Sequence, residues 1–263
     1  MNDGVVRLGD TVHRTASPQS ETIQRLLRHV RELGVVWVPE PLGFDESGRE
    51  VLRFIPGEVS HGEPDYRESP EVLLAVAHAL RQWHDATATF PRSERDVWLA
   101  HEPVPNPPMP VPGKSGPVAV WQQVIAHNDF APYNHVFRNG RFVGAIDFDV
   151  CYPASRAWDL AWTVYRYVYL PAFAPLEVTD GAVWPEVTDY QAGSIARTCA
   201  PAAATFARGY GDVSAAELIA LAPTRLASMA SWCAVQESPF HHAWGHMYAA
   251  HARWMNTLAS RSD

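Results

Sequence analysis

Residues 124–160 read VIAHNDFAPYNHVFRNGRFVGAIDFDVCYPASRAWDL. Asn139-Gly140 in the middle is a strong two-residue hairpin signal, because both turn positions need a left-handed backbone that Asn and Gly tolerate. Val136-Phe137-Arg138 and Arg141-Phe142-Val143 flank it as strands. If Arg138 pairs with Arg141, Asn134 faces Ala145 and Asp147 lies two residues further along the opposite strand. Diagonal neighbours of that kind are roughly 7–8 Å apart, close enough for a carboxylate and an amide oxygen to share one hard cation. Asp129 precedes Asn134 in a loop shaped by Pro132. Three oxygen-bearing side chains thus meet at the mouth of one hairpin. Mg²⁺ takes oxygen ligands and commonly completes its shell with substrate phosphates. A carboxylate beside it can orient a hydroxyl, an arrangement that suits phosphoryl transfer.

Outward from the hairpin, the spacing predicts an N-terminal hairpin over 5–14 with a Gly9-Asp10 turn. A helix follows from Ser20, burying Ile23, Leu26, Leu27, Val30 and Leu33 and ending at Gly34. A second hairpin turns at Glu46-Ser47-Gly48, and its return strand Glu50–Ile55 stops at Pro56-Gly57. Residues 69–87 read as a long helix capped by Ser69, with Pro70 in its first turn. Seven prolines between Pro103 and Pro117 mark an extended loop. Helical patterns follow at 156–169, 189–209, 214–235 and 239–259. The expected fold class is α+β, with a sheet-containing part over 1–58 and a mainly helical part over 59–263.

Three motifs in order carry a family resemblance. His127-Asn128-Asp129-Phe130-Ala131-Pro132-Tyr133-Asn134 resembles the HxDxxxxN catalytic loop of protein kinases and aminoglycoside phosphotransferases. Ile146-Asp147-Phe148-Asp149 resembles their second metal-ligand segment, and Trp158-Asp159-Leu160-Ala161 the start of their following helix. Phe54-Ile55-Pro56-Gly57-Glu58 is similar to the hinge region, and Leu80-Arg81-Gln82-Trp83-His84-Asp85 to a helix end. The sequence therefore resembles the aminoglycoside-phosphotransferase and choline-kinase-like family.

The resemblance implies a protein-kinase-like bilobal fold with a reduced N-lobe. It implies Asp129 as the base or nucleophile-orienting carboxylate and Asn134 and Asp147 as Mg²⁺ ligands, with ATP or GTP as co-substrate and a small molecule as acceptor. It also makes His127 a hydrogen-bonding prop and Asp159 a loop anchor. Phe54 and Ile55 would meet the nucleotide base. Asp149 stands where protein kinases have glycine, and no metal role is assigned to it.

The family's phosphate-holding lysine has no counterpart here. The chain has one lysine, Lys114, inside the Pro-rich stretch. Arg14, at the end of its strand, is the candidate substitute, since guanidinium binds phosphate bidentately. Only four residues precede Val5, so the expectation is an N-lobe without a glycine-rich phosphate loop. Two other readings stay open: a silent or repurposed scaffold binding a small ligand in the same cleft, and a metal-dependent hydrolase using the same carboxylates.

Composition narrows the classes further. A net charge of -8 argues against nucleic-acid binding, which needs a basic footprint. Three scattered cysteines form no disulfide framework and fit a cytoplasmic protein. No leader pattern or membrane span is expected. His242 and His246 share a helix face at a spacing seen in zinc sites, but no acid lies between them, and the reading favours ordinary surface histidines.

Overall fold

The computed structural model of the protein describes residues 4–59, 69–99, 123–173 and 188–260. The N-terminal part is a four-stranded antiparallel sheet, in the order β1-β2-β4-β3, with one helix. Its strands are β1 Val6–Leu8, β2 Thr11–Arg14, β3 Pro41–Phe44 and β4 Glu50–Arg53. Helix α1, Ser20–Glu32, buries Ile23, Leu26, Leu27 and Val30 as the spacing predicts. Leu33, at the C-cap, is instead 55% exposed because the chain has already left the helix. Gln19 rather than Ser20 occupies the N-cap. The Ser20 hydroxyl accepts from Ser17 N–H and turns inward to Glu50.

Helix α2, Pro70–Thr87, starts as expected: the Ser69 hydroxyl accepts from Val72 N–H at 3.3 Å, and Pro70 opens the first turn. Its inner face carries Val72, Leu73, Val76, Leu80 and Trp83, all buried. Removing one such side chain from water contributes about 2 kcal/mol. Trp83 also donates its indole N–H to Ile125 O at 2.8 Å, which fixes α2 against β6, Gln123–Ala126.

β6 pairs with β9, Tyr152–Ser155. A second small sheet orders β5 (Glu58–Val59), β7 (His135–Arg138) and β8 (Arg141–Ala145). Asn139 and Gly140 both take positive φ, 52° and 70°, and close the β7–β8 hairpin as its sequence requires.

The register departs from the simple expectation. Arg138 faces Arg141 and Phe137 faces Phe142, but Val136 then faces Gly144 and His135 faces Ala145. Val143 is the extra residue of a β-bulge. Asn134 is therefore level with Ile146, whose N–H donates to Asn134 O at 2.8 Å, and not with Ala145. The Ala145 N–H is held by Trp37 O at 3.2 Å, so the loop after α1 draws this edge of the hairpin aside. The bulge brings Asp147 one residue nearer to Asn134 than even pairing would.

Helix α3, Arg156–Val164, runs into a π-helical segment, Tyr165–Tyr169, and a short turn α4, Leu170–Ala172. Three long helices complete the described chain: α5 Asp189–Tyr210, α6 Ala215–Ala234 and α7 Pro239–Ala259. Thr188 and Ser214 form capping boxes with Gln191 and Glu217 at the starts of α5 and α6. Gly245 lets α7 approach α6: a Cβ there would lie 3.0 Å from the Cys233 Cβ. No helix among the described residues is long and apolar enough to cross a membrane. Lys114 and the Pro-rich stretch lie outside the described residues.

Candidate active site

The loop between β6 and β7 is held from below by one buried carboxylate. Asp159, in the first turn of α3, accepts the backbone N–H groups of His127 (2.7 Å) and Asn128 (2.8 Å) and the His84 Nε2 (3.1 Å). Burial pushes the Asp159 carboxyl up, but His84 and the backbone donors outweigh it and hold it below its usual range. Burial also lowers the His84 pKa; its Nδ1 meets the Tyr210 hydroxyl at 2.8 Å. Asp159 thus sits where a loop anchor is expected.

The buried His127 ring lies against the backbone of Ile146 and packs on Phe148, Phe130 and Trp83 with centroids 4.6, 5.4 and 6.2 Å away. Burial lowers its pKa, so it is a neutral member of an aromatic cluster. Asn128 takes φ 66° and anchors its amide on Val150 O at 2.9 Å. That left-handed residue turns the chain so that Asp129 faces outward.

Asp129 is gripped by three donors. Tyr133 donates its hydroxyl to Oδ1, Trp162 Nε1 donates to Oδ1 at 2.9 Å, and Asn134 Nδ2 donates to Oδ2 at 2.8 Å. Asn134 Nδ2 also reaches Asp129 O at 3.0 Å. Both of these bonds use the Asn134 amide nitrogen, and among the described residues its side-chain oxygen accepts no hydrogen bond. Burial, and then the Asp129 charge, push the Tyr133 phenol well above its ordinary range, so it stays a donor.

Asp147 follows at φ 64°, a strained value for a non-glycine residue and of a kind found at functional sites. The residue is exposed, yet protein surrounds its carboxyl on most sides. Burial, then the charges of Asp149 and Asp129, push it up to about 6, with Arg14 pulling the other way. Carboxylates crowded in this way form a donor set that a divalent cation would relieve. Among the described residues no three His, Cys, Asp or Glu side chains form a metal cluster by themselves. A shell completed by an amide oxygen, substrate phosphates and water matches the habits of Mg²⁺.

Arg14 bridges β4 and the loop that carries Asp147. Its Nε donates to Glu50 Oε2 at 2.7 Å, and its two terminal nitrogens donate to both Asp149 oxygens at 2.9 and 2.5 Å. Burial works against its charge, but Asp149 and Glu50 raise its pKa all the same. Glu50 is fully buried and is also held by Gln24 Nε2 at 3.0 Å and by Ser20. The acid that meets this cation therefore comes from β4, and α1 contributes Ser20 and Gln24 to hold it.

Phe54 and Ile55 directly follow β4. Phe54 N–H donates to Asp10 O at 2.8 Å, and its ring carries the Arg7 guanidinium 3.7 Å above its centroid. The Ile55 side chain packs over Gly144. His242 hydrogen-bonds Gln236 O at 2.6 Å, an ordinary structural contact on α7.

Sequence reasoning did not assign Tyr133, Trp162 or Arg225 to the site. Behind Asp129 lies a cavity of about 220 Å³ whose walls include Tyr133, Tyr152, Trp162, Trp232 and Tyr248. The Arg225 guanidinium, buried from α6, lies 4.7 Å from the Trp162 ring centroid and donates to Asn128 O at 3.1 Å. The one available signal was spacing: Trp162 falls one helical turn after Asp159, on the side that faces the loop.

Residues 3–107 and 116–193 match the model of the phosphotransferase enzyme family, APH. Over 159 residues the chain is 37% identical to the trifolitoxin immunity protein of Rhizobium leguminosarum bv. trifolii, covering 60% of this chain and 55% of that protein. It thus spans little more than half the length of that relative. A choline/ethanolamine kinase family protein from Mesorhizobium loti superposes with a TM-score of 0.59 at 16% identity, covering 97% of this chain and 89% of the other. Macrolide 2'-phosphotransferase MphH from Brachybacterium faecium gives 0.55 at 13%, covering 93% and 87%. At these identities the two structures establish the protein-kinase-like fold alone. With the family model spanning most of the sequence, the chain belongs to the phosphotransferase enzyme family.

Proposed function

We propose that this protein moves the γ-phosphoryl group of ATP or GTP to a hydroxyl of a small molecule that enters the aromatic cavity beside Asp129. The observation that carries this reading is the triple grip of Tyr133, Trp162 and Asn134 on one carboxylate at the mouth of that cavity. Such a grip fixes Asp129 to orient an acceptor O–H and take its proton as the oxygen attacks phosphorus. The bond from phosphorus to the β-phosphate oxygen breaks, and a nucleoside diphosphate leaves. Asn134 and Asp147 would hold Mg²⁺, which supplies charge neutralisation on the phosphates when bound. The catalytic work of the chain is then positioning.

A relative named for immunity to trifolitoxin supports an acceptor that is a toxic compound, inactivated by phosphorylation. One set of contacts favours a second reading, a scaffold that binds its ligand without phosphoryl transfer. Arg14 is already held by Glu50 and Asp149, and the Phe54 N–H that a hinge would offer to a base is engaged by Asp10.

Isothermal titration of ATP, GTP and a non-hydrolysable analogue, each with and without Mg²⁺, separates the two. Mg²⁺-dependent binding of a nucleotide is the expected result. No binding of any nucleotide leaves the scaffold reading.

A further inference from the structure

Tyr248 on α7 lines the cavity beside Asp129 and is 6% exposed, and its hydroxyl has no hydrogen-bond partner among the described residues. Buried tyrosine hydroxyls usually find one. Those of Tyr133, Tyr165, Tyr167 and Tyr210 do, on Asp129, His251, His135 and His84. The Tyr248 ring is nonetheless well fixed. Trp162, Tyr165 and Trp244 surround it with centroids 5.8, 6.3 and 5.8 Å away. A ring held this firmly, with an uncommitted hydroxyl at a cavity wall, is a preorganised contact for a molecule that enters.

Other polar groups of the cavity are already engaged. The Tyr133 hydroxyl and Trp162 Nε1 both donate to Asp129 Oδ1, and the Asn128 amide nitrogen donates to Val150 O. Asp129 Oδ2 receives Asn134 Nδ2, which leaves it a lone pair for an incoming O–H. Burial pushes the Tyr248 phenol up to about 12, so it keeps its proton and can donate; the Asp129 charge pushes the same way. The cavity therefore offers a hydrogen-bond acceptor at Asp129 Oδ2 and a donor at the Tyr248 hydroxyl, between walls that are largely aromatic. An anion at the donor would meet a like charge in Asp129, so an uncharged oxygen suits it better.

We infer that the Tyr248 hydroxyl donates to a second, uncharged oxygen of the acceptor, on the same molecule whose reacting hydroxyl meets Asp129. This deepens the proposed reading and rests on it for naming the cavity as the acceptor site. The acceptor is then an alcohol that carries an ether, carbonyl or further hydroxyl oxygen on a compact apolar or aromatic body. A cavity of about 220 Å³ admits a single ring with short substituents. One bond to Asp129 would leave such a body free to turn between the aromatic walls, and the bond from Tyr248 fixes its rotation. Tyr248 is a specificity residue of the acceptor side and takes no part in proton transfer.

The test reads binding alone, so it does not depend on turnover. The 2-, 3- and 4-methoxybenzyl alcohols and the matching ethylbenzyl alcohols share one outline, and the methoxy series alone carries the second oxygen. Each is titrated into the full chain, with tryptophan fluorescence as readout and calorimetry as a check. Ethyl is the more apolar group, so a cavity without a free donor favours the ethyl compound of each pair. The expected result is a methoxy isomer that binds about fivefold tighter than its ethyl partner, the scale of one net hydrogen bond. Tyr248→Phe should erase that preference and leave the ethyl affinities unchanged. It should also keep the thermal midpoint within a few degrees, because the hydroxyl bonds nothing in the protein. The inference is overturned if no methoxy isomer is preferred, if neither series binds, or if the preference survives Tyr248→Phe. A larger fall in the midpoint also overturns it, since the hydroxyl would then serve the fold. Failure of the phosphotransferase reading looks different: no nucleotide binds, while the methoxy preference and its loss in Tyr248→Phe remain.

Discussion

Arg14 on β2 and Asp149 beyond β8, 135 positions apart in the chain, form a two-pronged ion pair that ties the N-terminal sheet to the loop carrying Asp147. The same guanidinium neutralises Glu50, which has no solvent contact. Arg14→Ala leaves Glu50 as a buried charge without its cation and should cost about 3 kcal/mol of stability, the scale for breaking a buried pair from one side. Asp149→Asn removes a partly exposed partner and should cost less than about 1 kcal/mol. Urea denaturation of the two variants measures the difference. Equal costs would show that the cross-cleft arm, and not Glu50, carries the stability.

Asp129→Asn keeps the size of the side chain and removes its ability to take a proton. Phosphoryl transfer should fall by about three orders of magnitude, within the usual range for loss of a general base. Nucleotide affinity should stay within about twofold, because Asp129 faces the acceptor cavity. Parallel measurement of turnover and of nucleotide titration checks both halves, and wild-type turnover in the variant would remove Asp129 from the mechanism.

Several buried histidines set the acid limit of the fold. Burial lowers the pKa of His251 to about 3, and its Nδ1 meets the Tyr165 hydroxyl at 2.8 Å. His84, His127 and His135 shift in the same direction for the same reason. Below the ordinary histidine value of 6.5 the unfolded chain takes up protons that the native protein refuses. Their contribution is therefore complete above pH 6.5 and is lost as pH falls toward the folded values. Each histidine adds a slope of about 1.4 kcal/mol per pH unit in that window. His251→Gln keeps an acceptor for Tyr165 and should reduce the slope by one such increment, read from urea midpoints between pH 7 and pH 5.

Gly144 is a packing requirement of the bulged strand. A Cβ at this position would lie 2.6 Å from Trp37 O and 2.9 Å from the Ile55 Cδ1. Backbone oxygen does not yield cheaply, so Gly144→Ala should cost about 2 kcal/mol and loosen the seat of the N-terminal part on the hairpin. A lower thermal midpoint with unchanged far-ultraviolet dichroism is the expected pattern.

The hairpin and the long helices were legible because their signals are local. Asn139-Gly140 dictates a turn by backbone preference, and Ser69-Pro70 marks a helix start by capping. The bulge at Val143 was not legible: it lies beside a hydrogen bond from Ala145 to Trp37, more than a hundred residues away, that no local pattern announces. Asp129, Asn134 and Asp147 could be nominated because five residues and one turn bring them together. The grip of Trp162 on Asp129 and the pairing of Arg14 with Asp149 could not. Each depends on how separate elements dock, and a tryptophan at helical spacing reads equally well as core.

Asp159 gathers α2, the loop over residues 127–134 and α3 at a single carboxylate, through contacts spanning 75, 32 and 31 positions of chain. Contacts of that separation form after local structure, because loop closure must come before they stabilise anything. The loop bearing Asp129 has no settled shape until α2 and α3 have met. A partly folded chain of this protein, however helical, would hold its hairpin and helices without an active site. The appearance of ligand binding during refolding should therefore trail the recovery of secondary structure.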